Sequence, residues 1–385
     1  MDEVVLPRER SLSGGTTVSR GTIAELRAEA REREIYAPQI AESHGGMGER
    51  FRDVLPVFEE AGRSLLGPPA MRVDAPDEGN MHLLELVGTE LQKEQYLEPL
   101  VDGKLRSGFS MTEPTDGAGS DPKMIRTTAR KEGDEWVIDG HKWWTTQGVE
   151  ADVLIVLART DPDAHPYEGC SLFLVPAEAD GVEVVRNIPH LGGGPRGASH
   201  AEIKYDGVRV PEEHLLGELN EGFTHVQQRL GPARLTHCMR YSGMATRALD
   251  VATAYASERE AFGEPLAEKG DLRGRLADAE TRIEAARSLV RTAADAIEAG
   301  SEARTEVAMA KLFTAEVTND AIDAALQACG GNGIGKDLPL ADFYASVRQF
   351  RIVDGADEVH RRSVARELFA DPAAEELEAL TRYEE

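Results

Sequence analysis

Glu135-Trp136-Val137-Ile138-Asp139-Gly140-His141-Lys142-Trp143-Trp144-Thr145-Thr146 is the stretch whose reading decides the fold class of this 385-residue chain. β-Branched and aromatic residues crowd it, and Asp139-Gly140 at its centre is a turn dipeptide. It therefore predicts two short strands joined as a hairpin at Asp139-Gly140. Further strands are expected over residues 152–158, 171–175, 182–188 and 201–205, with Pro211 and Gly217 closing the unit. Strands at such short spacing suggest a small β-barrel or sandwich over residues 106–220.

On either side the apolar period lengthens from 2 to 3.6. Residues 22–33, 57–66, 81–87 and 90–100 have helical spacing or composition, Pro68-Pro69 marks a break, and Ala75-Pro76-Asp77-Glu78-Gly79-Asn80 reads as a polar loop. After residue 220, Leu276, Ala279, Ile283, Ala286, Val290, Ala293 and Ile297 advance by alternating threes and fours, a narrow bundle seam. Long helical segments are expected over 222–258, 302–328 and 356–370. The division is thus a helical unit (1–105), a β unit (106–220) and a helix bundle (221–385), an α+β arrangement.

Composition narrows the function classes. The hydrophobic fraction is 41%, and no apolar run approaches the roughly 18 to 20 residues that cross a bilayer. Met1-Asp2-Glu3-Val4-Val5 has neither the charged start nor the apolar core of a signal peptide, so a cytoplasmic protein is expected. The three cysteines, Cys170, Cys238 and Cys329, are widely spaced and read as buried thiols. A net charge of −26 argues against nucleic acid and anionic membranes as partners. Abundant Asp and Glu with scarce Lys fit a halophilic protein, because salt screens the self-repulsion.

Five stretches offer chemistry. Phe109-Ser110-Met111-Thr112-Glu113-Pro114 runs into a small-residue loop ending Gly117-Ala118-Gly119-Ser120-Asp121, where backbone N–H groups can approach an anion or a planar ring. Adjacent Trp143 and Trp144 on a strand are expected to face opposite ways, with Thr146 on the Trp144 face to offer a hydroxyl. Gln327-Ala328-Cys329-Gly330-Gly331-Asn332-Gly333 ends a helix and has the form of a C-cap and turn. Arg234, in Gly231-Pro232-Ala233-Arg234, and Arg259, in Arg259-Glu260-Ala261-Phe262-Gly263, each present a guanidinium expected near a helix end. Finally, Ile352-Val353-Asp354-Gly355-Ala356-Asp357-Glu358-Val359-His360 sets a carboxylate behind two β-branched residues and before a helix, as an N-cap or as a base in a dry pocket. His190, His200, His225, His237 and His360 are scattered and read as structural, and neither a metal-ligand pair nor a P-loop is present.

Taken in order, these stretches resemble the acyl-CoA dehydrogenase family over nearly the whole chain. The resemblance rests on Met111-Thr112-Glu113-Pro114, Ala118-Gly119-Ser120-Asp121, Lys142-Trp143-Trp144-Thr145-Thr146, Gly207-Val208-Arg209-Val210-Pro211, residues 259–263 and residues 329–333. Residues 75–81, 229–240 and 353–360 further resemble the branch whose animal members carry an appended kinase-like domain, an extension not expected at this length.

The resemblance implies FAD held between the β unit and the bundle of a homodimer or homotetramer. It places Phe109, Met111, Thr112, Ser120, Trp144, Thr145 and Thr146 along the flavin. Arg259, Phe262, Gln327, Ala328, Cys329, Gly330 and Gly331 would meet its pyrophosphate and adenosine across the subunit interface, and Ala356, Asp357 and Glu358 would touch it as well. Ser120, Gly231, Arg234 and Gly355 would meet an acyl-CoA. Asp354 stands where the family has its base, usually glutamate; burial beside Ile352 and Val353 is expected to raise its pKa once substrate excludes water. The implied reaction takes an acyl-CoA to a trans-2-enoyl-CoA in fatty-acid β-oxidation, with electrons passed to an electron-transferring flavoprotein. Gly270 and Ala356 depart from common family residues and remove two potential FAD contacts. A flavin oxidase of this fold, resembling the nitroalkane oxidases, and a non-catalytic flavoprotein are the alternatives.

Overall fold

The structure is a computed structural model describing residues 1–11, 19–114, 116–119, 121–192 and 199–370. Its N-terminal unit contains α1 (Val5–Ser11), α2 (Arg20–Glu32), α3 (Phe51–Gly62), α4 (Gly67–Met71), α5 (Asp77–Val87), α6 (Glu90–Gln92) and α7 (Glu98–Val101). A π-helical turn, Lys93–Leu97, joins the last two. The β unit carries β1 (Ser107–Ser110), β2 (Thr128–Glu132), β3 (Glu135–Thr146), β4 (Val153–Arg159), β5 (Cys170–Pro176), β6 (Val182–Asn187), β7 (His200–Pro211) and β8 (Leu215–Leu216). Next come α8 (Gly222–Glu258), β9 (Glu260–Ala261), β10 (Glu264–Pro265), α9 (Gly270–Glu298) and α10 (Arg304–Cys329). The short α11 (Gly331–Ile334), then α12 (Leu340–Arg348) and α13 (Asp357–Leu368), complete the bundle.

Two strands divide the interior. β4 and β5 are buried on both faces, so alternate residues serve different cores. Leu154, Val156, Phe173 and Val175 join Trp136, Ile138, Ile203 and Val208 in a core wrapped by the sheet itself. Ile155, Leu157, Leu172 and Leu174 turn the other way and pack into the helical core. Each such side chain contributes about 2 kcal/mol on leaving water. The sheet is mixed, ordered β6-β7-β3-β2-β4-β5-β8, with β1 parallel to β4. In the bundle, α8 packs on α3, α9 and α10, and the α9 seam supplies buried Ala279, Ile283, Ala286, Val290 and Ala293.

The expected hairpin at Asp139-Gly140 is not there. β3 runs unbroken through it, and the turn is Gly133-Asp134, between paired Glu132 and Glu135. Asp139-Gly140 instead marks a register shift against β7: the Asp139 carboxylate accepts from Gly207 N at 2.7 Å. A Cβ on Gly140 would collide with the Thr127 side chain at 2.3 Å, so close approach selects this glycine.

The polar loop expected at residues 75–80 is also corrected. Asp77 opens α5, and Asp77, Glu78 and Asn80 are all buried. Arg72 donates to Asp77 at 2.7 Å, Ser107 N donates to it at 2.8 Å, and Asn80 donates to Ser107 Oγ at 2.8 Å. These bonds offset the cost of burying the side chains and tie α5 to β1.

Candidate active site

A polar stripe runs down α8. Arg229, Ala233, Thr236 and Arg240 recur at steps of four and three, with His237 beside them, so they share one face. That face meets the start of α5: Arg229 Nε donates to Asn80 Oδ1 at 2.9 Å, and Thr236 Oγ1 donates to Glu78 Oε2 at 3.2 Å. Burial pushes the Glu78 carboxyl up despite Arg240, Arg229 and Thr236. The Arg229 guanidinium also lies 4.1 Å over the Phe109 ring, which brings the end of β1 to the same place.

Opposite the stripe stands Asp354, in a turn before α13. Its φ of 56° is left-handed, an unfavourable conformation for a non-glycine residue, and three donors fix the turn. Arg234 Nε donates to the Asp354 carbonyl at 2.9 Å and His360 Nε2–H donates to it at 3.1 Å, while Lys311 Nζ donates to the Gly355 carbonyl at 2.8 Å. At Gly355, φ is 98° and an added Cβ would sit 2.8 Å from His360 Nε2, so glycine is required there. Asp354 is therefore not the N-cap of α13; that position is Ala356, which makes no side-chain cap bond.

The carboxylate is asymmetric. Oδ2 is buried without a hydrogen bond, although His237 Nδ1 lies 3.0 Å away, because the Nδ1–H donates to Ala233 O at 2.9 Å. The remaining 18% side-chain exposure leaves Oδ1 on the open side. Burial alone would raise the Asp354 pKa, but the His237 imidazole at 3.0 Å and the cations Arg229, Arg234 and Lys311 outweigh it and hold the carboxyl below its ordinary value. Without substrate the shift is thus opposite to the rise expected, and Ile352, 62% exposed, builds no dry wall. Burial and Arg240 hold His237 down at about 4, and burial and Arg234 hold His360 at about 4, so both imidazoles are neutral at pH 7.

A second group gathers where β1 and β3 end. Lys142 Nζ donates to Met111 O at 2.8 Å and Glu113 Oε1 at 2.9 Å, and Trp143 N donates to Thr112 O at 3.0 Å. The β3–β7 register shifts between Lys142 and Thr145, and Trp144 has φ 54°. The expected alternation of the tryptophans fails at this bulge: their rings meet edge-on, 6.2 Å apart. Trp144 stays 42% exposed on the surface of the β unit. Thr146 Oγ1 bonds His200 Nδ1 at 3.1 Å, whereas Thr145 turns inward onto Ser110 Oγ at 3.2 Å and offers no free hydroxyl.

A third patch lies at the end of α8. Arg259 is its C-cap, and Phe262 tops the β9–β10 hairpin, 97% exposed. Asn332 Nδ2 donates to Tyr255 OH at 3.2 Å, joining this end to the α10–α11 turn. There Gln327, Gly330 and Gly331 are exposed, Ala328 is half-buried, and Cys329 is core. An added Cβ on Gly330 or Gly331 would meet nothing, so a ligand backbone could approach them closely.

The structure thus joins Phe109, Arg234, Asp354 and Gly355 through α8, and Met111, Thr112, Trp144 and Thr146 through β3. Gly231 lies on α8 with open space above its Cα. It and Arg234 are well inside that 37-residue helix, not near its end. Asp357 is buried, with its carboxylate held by Arg351 at 2.7 Å and Lys311 at 3.5 Å, whereas Glu358 is exposed and Ala356 half-buried. Ser120 lies outside the described residues. Sequence reasoning missed Glu78, Arg229, His237 and Lys311, and it treated as scattered the histidines that fold onto Asp354 and Thr146. The step from Arg229 to Ala233 to His237 was the available signal.

Three sequence models of acyl-CoA dehydrogenase match the chain: the N-terminal domain over residues 1–104, the middle domain over 108–208 and the C-terminal domain over 220–369. A probable acyl-CoA dehydrogenase of Mycobacterium tuberculosis, FadE2, is 43% identical over 349 residues, covering 89% of this chain and 84% of that protein. Acyl-CoA dehydrogenase family member 11 of Gallus gallus is 38% identical over 80% of this chain, which spans only 40% of that longer relative. The crystal structure of acyl-CoA dehydrogenase from Geobacillus kaustophilus superposes with a TM-score of 0.83 at 29% identity, covering 95% of this chain and 94% of that one. An exposed Trp144 on a bulge, an open glycine turn after α10 and a buried carboxylate oxygen without a hydrogen bond all fit a large planar cofactor with its substrate. The chain belongs to the acyl-CoA dehydrogenase family, whose members are FAD-dependent oxidoreductases.

Proposed function

We propose that the protein oxidises an acyl-CoA thioester to its trans-2-enoyl-CoA, with Asp354 as the base, and passes the electrons to an electron-transferring flavoprotein. The observation that carries this is the Asp354 carboxylate, carried on a turn whose main-chain carbonyls are held by Arg234, His360 and Lys311, with one oxygen buried and the other open. A lowered pKa keeps that carboxylate ionised and ready to accept a proton. The open oxygen takes the α-proton, and the Asp354 N–H supports the thioester carbonyl, as the family resemblance assigns. When bound, FAD supplies the acceptor for the β-hydride. Arg234 and Gly231 border the path of the CoA part, Trp144 covers the flavin ring, and Thr146 reaches its edge. Asp is one methylene shorter than the usual Glu, so its reach depends on the left-handed turn that carries it, at φ 56°.

The 38% identity to family member 11 supports a place near the branch with kinase-like extensions. The acidic surface supports work at high salt. No helix among the described residues is long and apolar enough to cross a membrane. The test is anaerobic mixing of the FAD-loaded protein with a panel of acyl-CoAs at high salt: the flavin band bleaches with a suitable chain, and Asp354→Asn slows bleaching to a small residual rate. Near-full turnover by Asp354→Asn would remove the base assignment, and oxygen consumption with peroxide release would replace the dehydrogenase by an oxidase.

A further inference from the structure

The imidazole nearest Asp354 has no part in the chemistry described so far. His237 Nδ1 is 3.0 Å from Asp354 Oδ2 and 2.9 Å from Ala233 O, so one ring nitrogen lies within reach of two acceptors while its N–H points to the Ala233 carbonyl. The ring is flanked by Tyr241 and Phe350, with centroids 6.3 and 6.2 Å away and planes 22° apart. Oδ2 is buried and without a hydrogen bond, a costly state for a polar atom out of water. A carboxylate swinging away from His237 would leave the nearest group able to donate to Oδ2, and one settling toward it would gain a share of the N–H that now points to Ala233 O.

We propose that His237 is a positioning residue for Asp354, sharing its Nδ1–H between the Ala233 carbonyl and Oδ2 so that Oδ1 faces the reacting carbon. This rests on the reading of Asp354 as the base. His237 itself gains and loses no proton; burial keeps the ring neutral with Nδ1–H as the tautomer. Other groups around the carboxylate act as fixed charges or dipoles: Arg229, Arg234, Arg240 and Tyr241 on α8, Glu78 on α5, Lys311 on α10 and His360 on α13. His237 differs from the arginines and lysine in contacting the carboxylate itself, whereas Arg234 and Lys311 hold main-chain carbonyls.

The test uses FAD-loaded His237→Phe, which keeps a ring against Tyr241 and Phe350 and removes the N–H. Thermal melting and the flavin spectrum confirm that it is folded and loaded. The expected result is a fall in kcat of about 10- to 100-fold, the scale of roughly 1 Å of misplacement, with KM changed by less than about twofold. The acid limb of the pH–kcat profile moves to higher pH, because the ionised carboxylate loses a donor. His237→Gln, which restores an N–H, recovers part of both effects. An unchanged kcat and acid limb would overturn the proposal. In the Asp354→Asn background His237→Phe adds no further loss; an equal loss in both backgrounds overturns the positioning role and leaves the base intact. Near-full turnover of Asp354→Asn alone instead overturns the base reading on which the proposal stands.

Discussion

Lys311 Nζ donates to the Gly355 carbonyl at 2.8 Å, joining α10 to the turn that carries Asp354. The ammonium is fully buried, and its second partner is the Asp357 carboxylate at 3.5 Å. Burial pulls its pKa down while Asp357 opposes the shift, so the charge persists only because its partners surround it. Lys311→Met keeps the length of the side chain and removes the charge. The loss of stability is expected to be about 3 kcal/mol, since a main-chain carbonyl and half of the Asp357 pairing are left unsatisfied. The Asp354 carboxyl should also titrate at higher pH, because one of the cations lowering it is gone. Urea unfolding and the acid limb of the pH–rate profile check these; wild-type stability would show that the turn does not depend on this bond.

The Glu113 carboxylate is the second buried anchor, and its effect depends on pH. Its own burial would raise its pKa, but Lys142 at 2.9 Å and the N–H groups of Thr127 and Arg126 bring it down to about 2. A carboxyl whose folded pKa lies below its unfolded value of about 4.5 stabilises the fold above that value and loses the effect as pH falls toward 2. The shift corresponds to about 3 kcal/mol, from which burying Lys142 subtracts. Glu113→Gln should therefore unfold at lower denaturant at pH 7, and the gap to wild type should close as pH approaches 2. A gap independent of pH would mean that packing, not charge, makes the contribution.

Much of the fold is legible in the sequence because its signals are local. Period-2 strands and the α8, α9 and α10 helices announce themselves over a few residues each. Asp139-Gly140 misled because the same dipeptide suits a tight turn and a bulge; only the partner strand, through Gly207 N, decides between them. The buried start of α5 was illegible for a related reason. Asp77, Glu78 and Asn80 look like loop residues until Arg72, Ser107, Thr236 and Arg229 arrive from elsewhere to satisfy them. The site divides in the same way. Asp354, Arg234, Trp144 and Thr146 are singled out as candidates by their motifs, whereas His237 and Lys311 come against the Asp354 turn only after α8 and α10 pack on it.

Phe262 presents a different kind of isolation. It is 97% exposed at the tip of the β9–β10 hairpin, with φ 55° turning the chain there, and Gly263 follows at φ 87°. Among the described residues, the Lys269 ammonium lies over the ring, 5.9 Å from its centre. Covering such a ring is worth about 2–3 kcal/mol, and a two-fold assembly gains it twice. The family resemblance puts this ring and Arg259 against the cofactor of a second subunit. Phe262→Asp is therefore expected to lower the molar mass in multi-angle light scattering toward the monomer. It should also speed loss of FAD on dilution, while circular dichroism of the helices stays as in wild type. Replacing the ring by a carboxylate rather than by Ala sharpens the outcome, because a carboxylate buried at an interface without a partner is far costlier than a cavity. An unchanged mass together with unchanged FAD retention would mean that Phe262 faces solvent in the working protein.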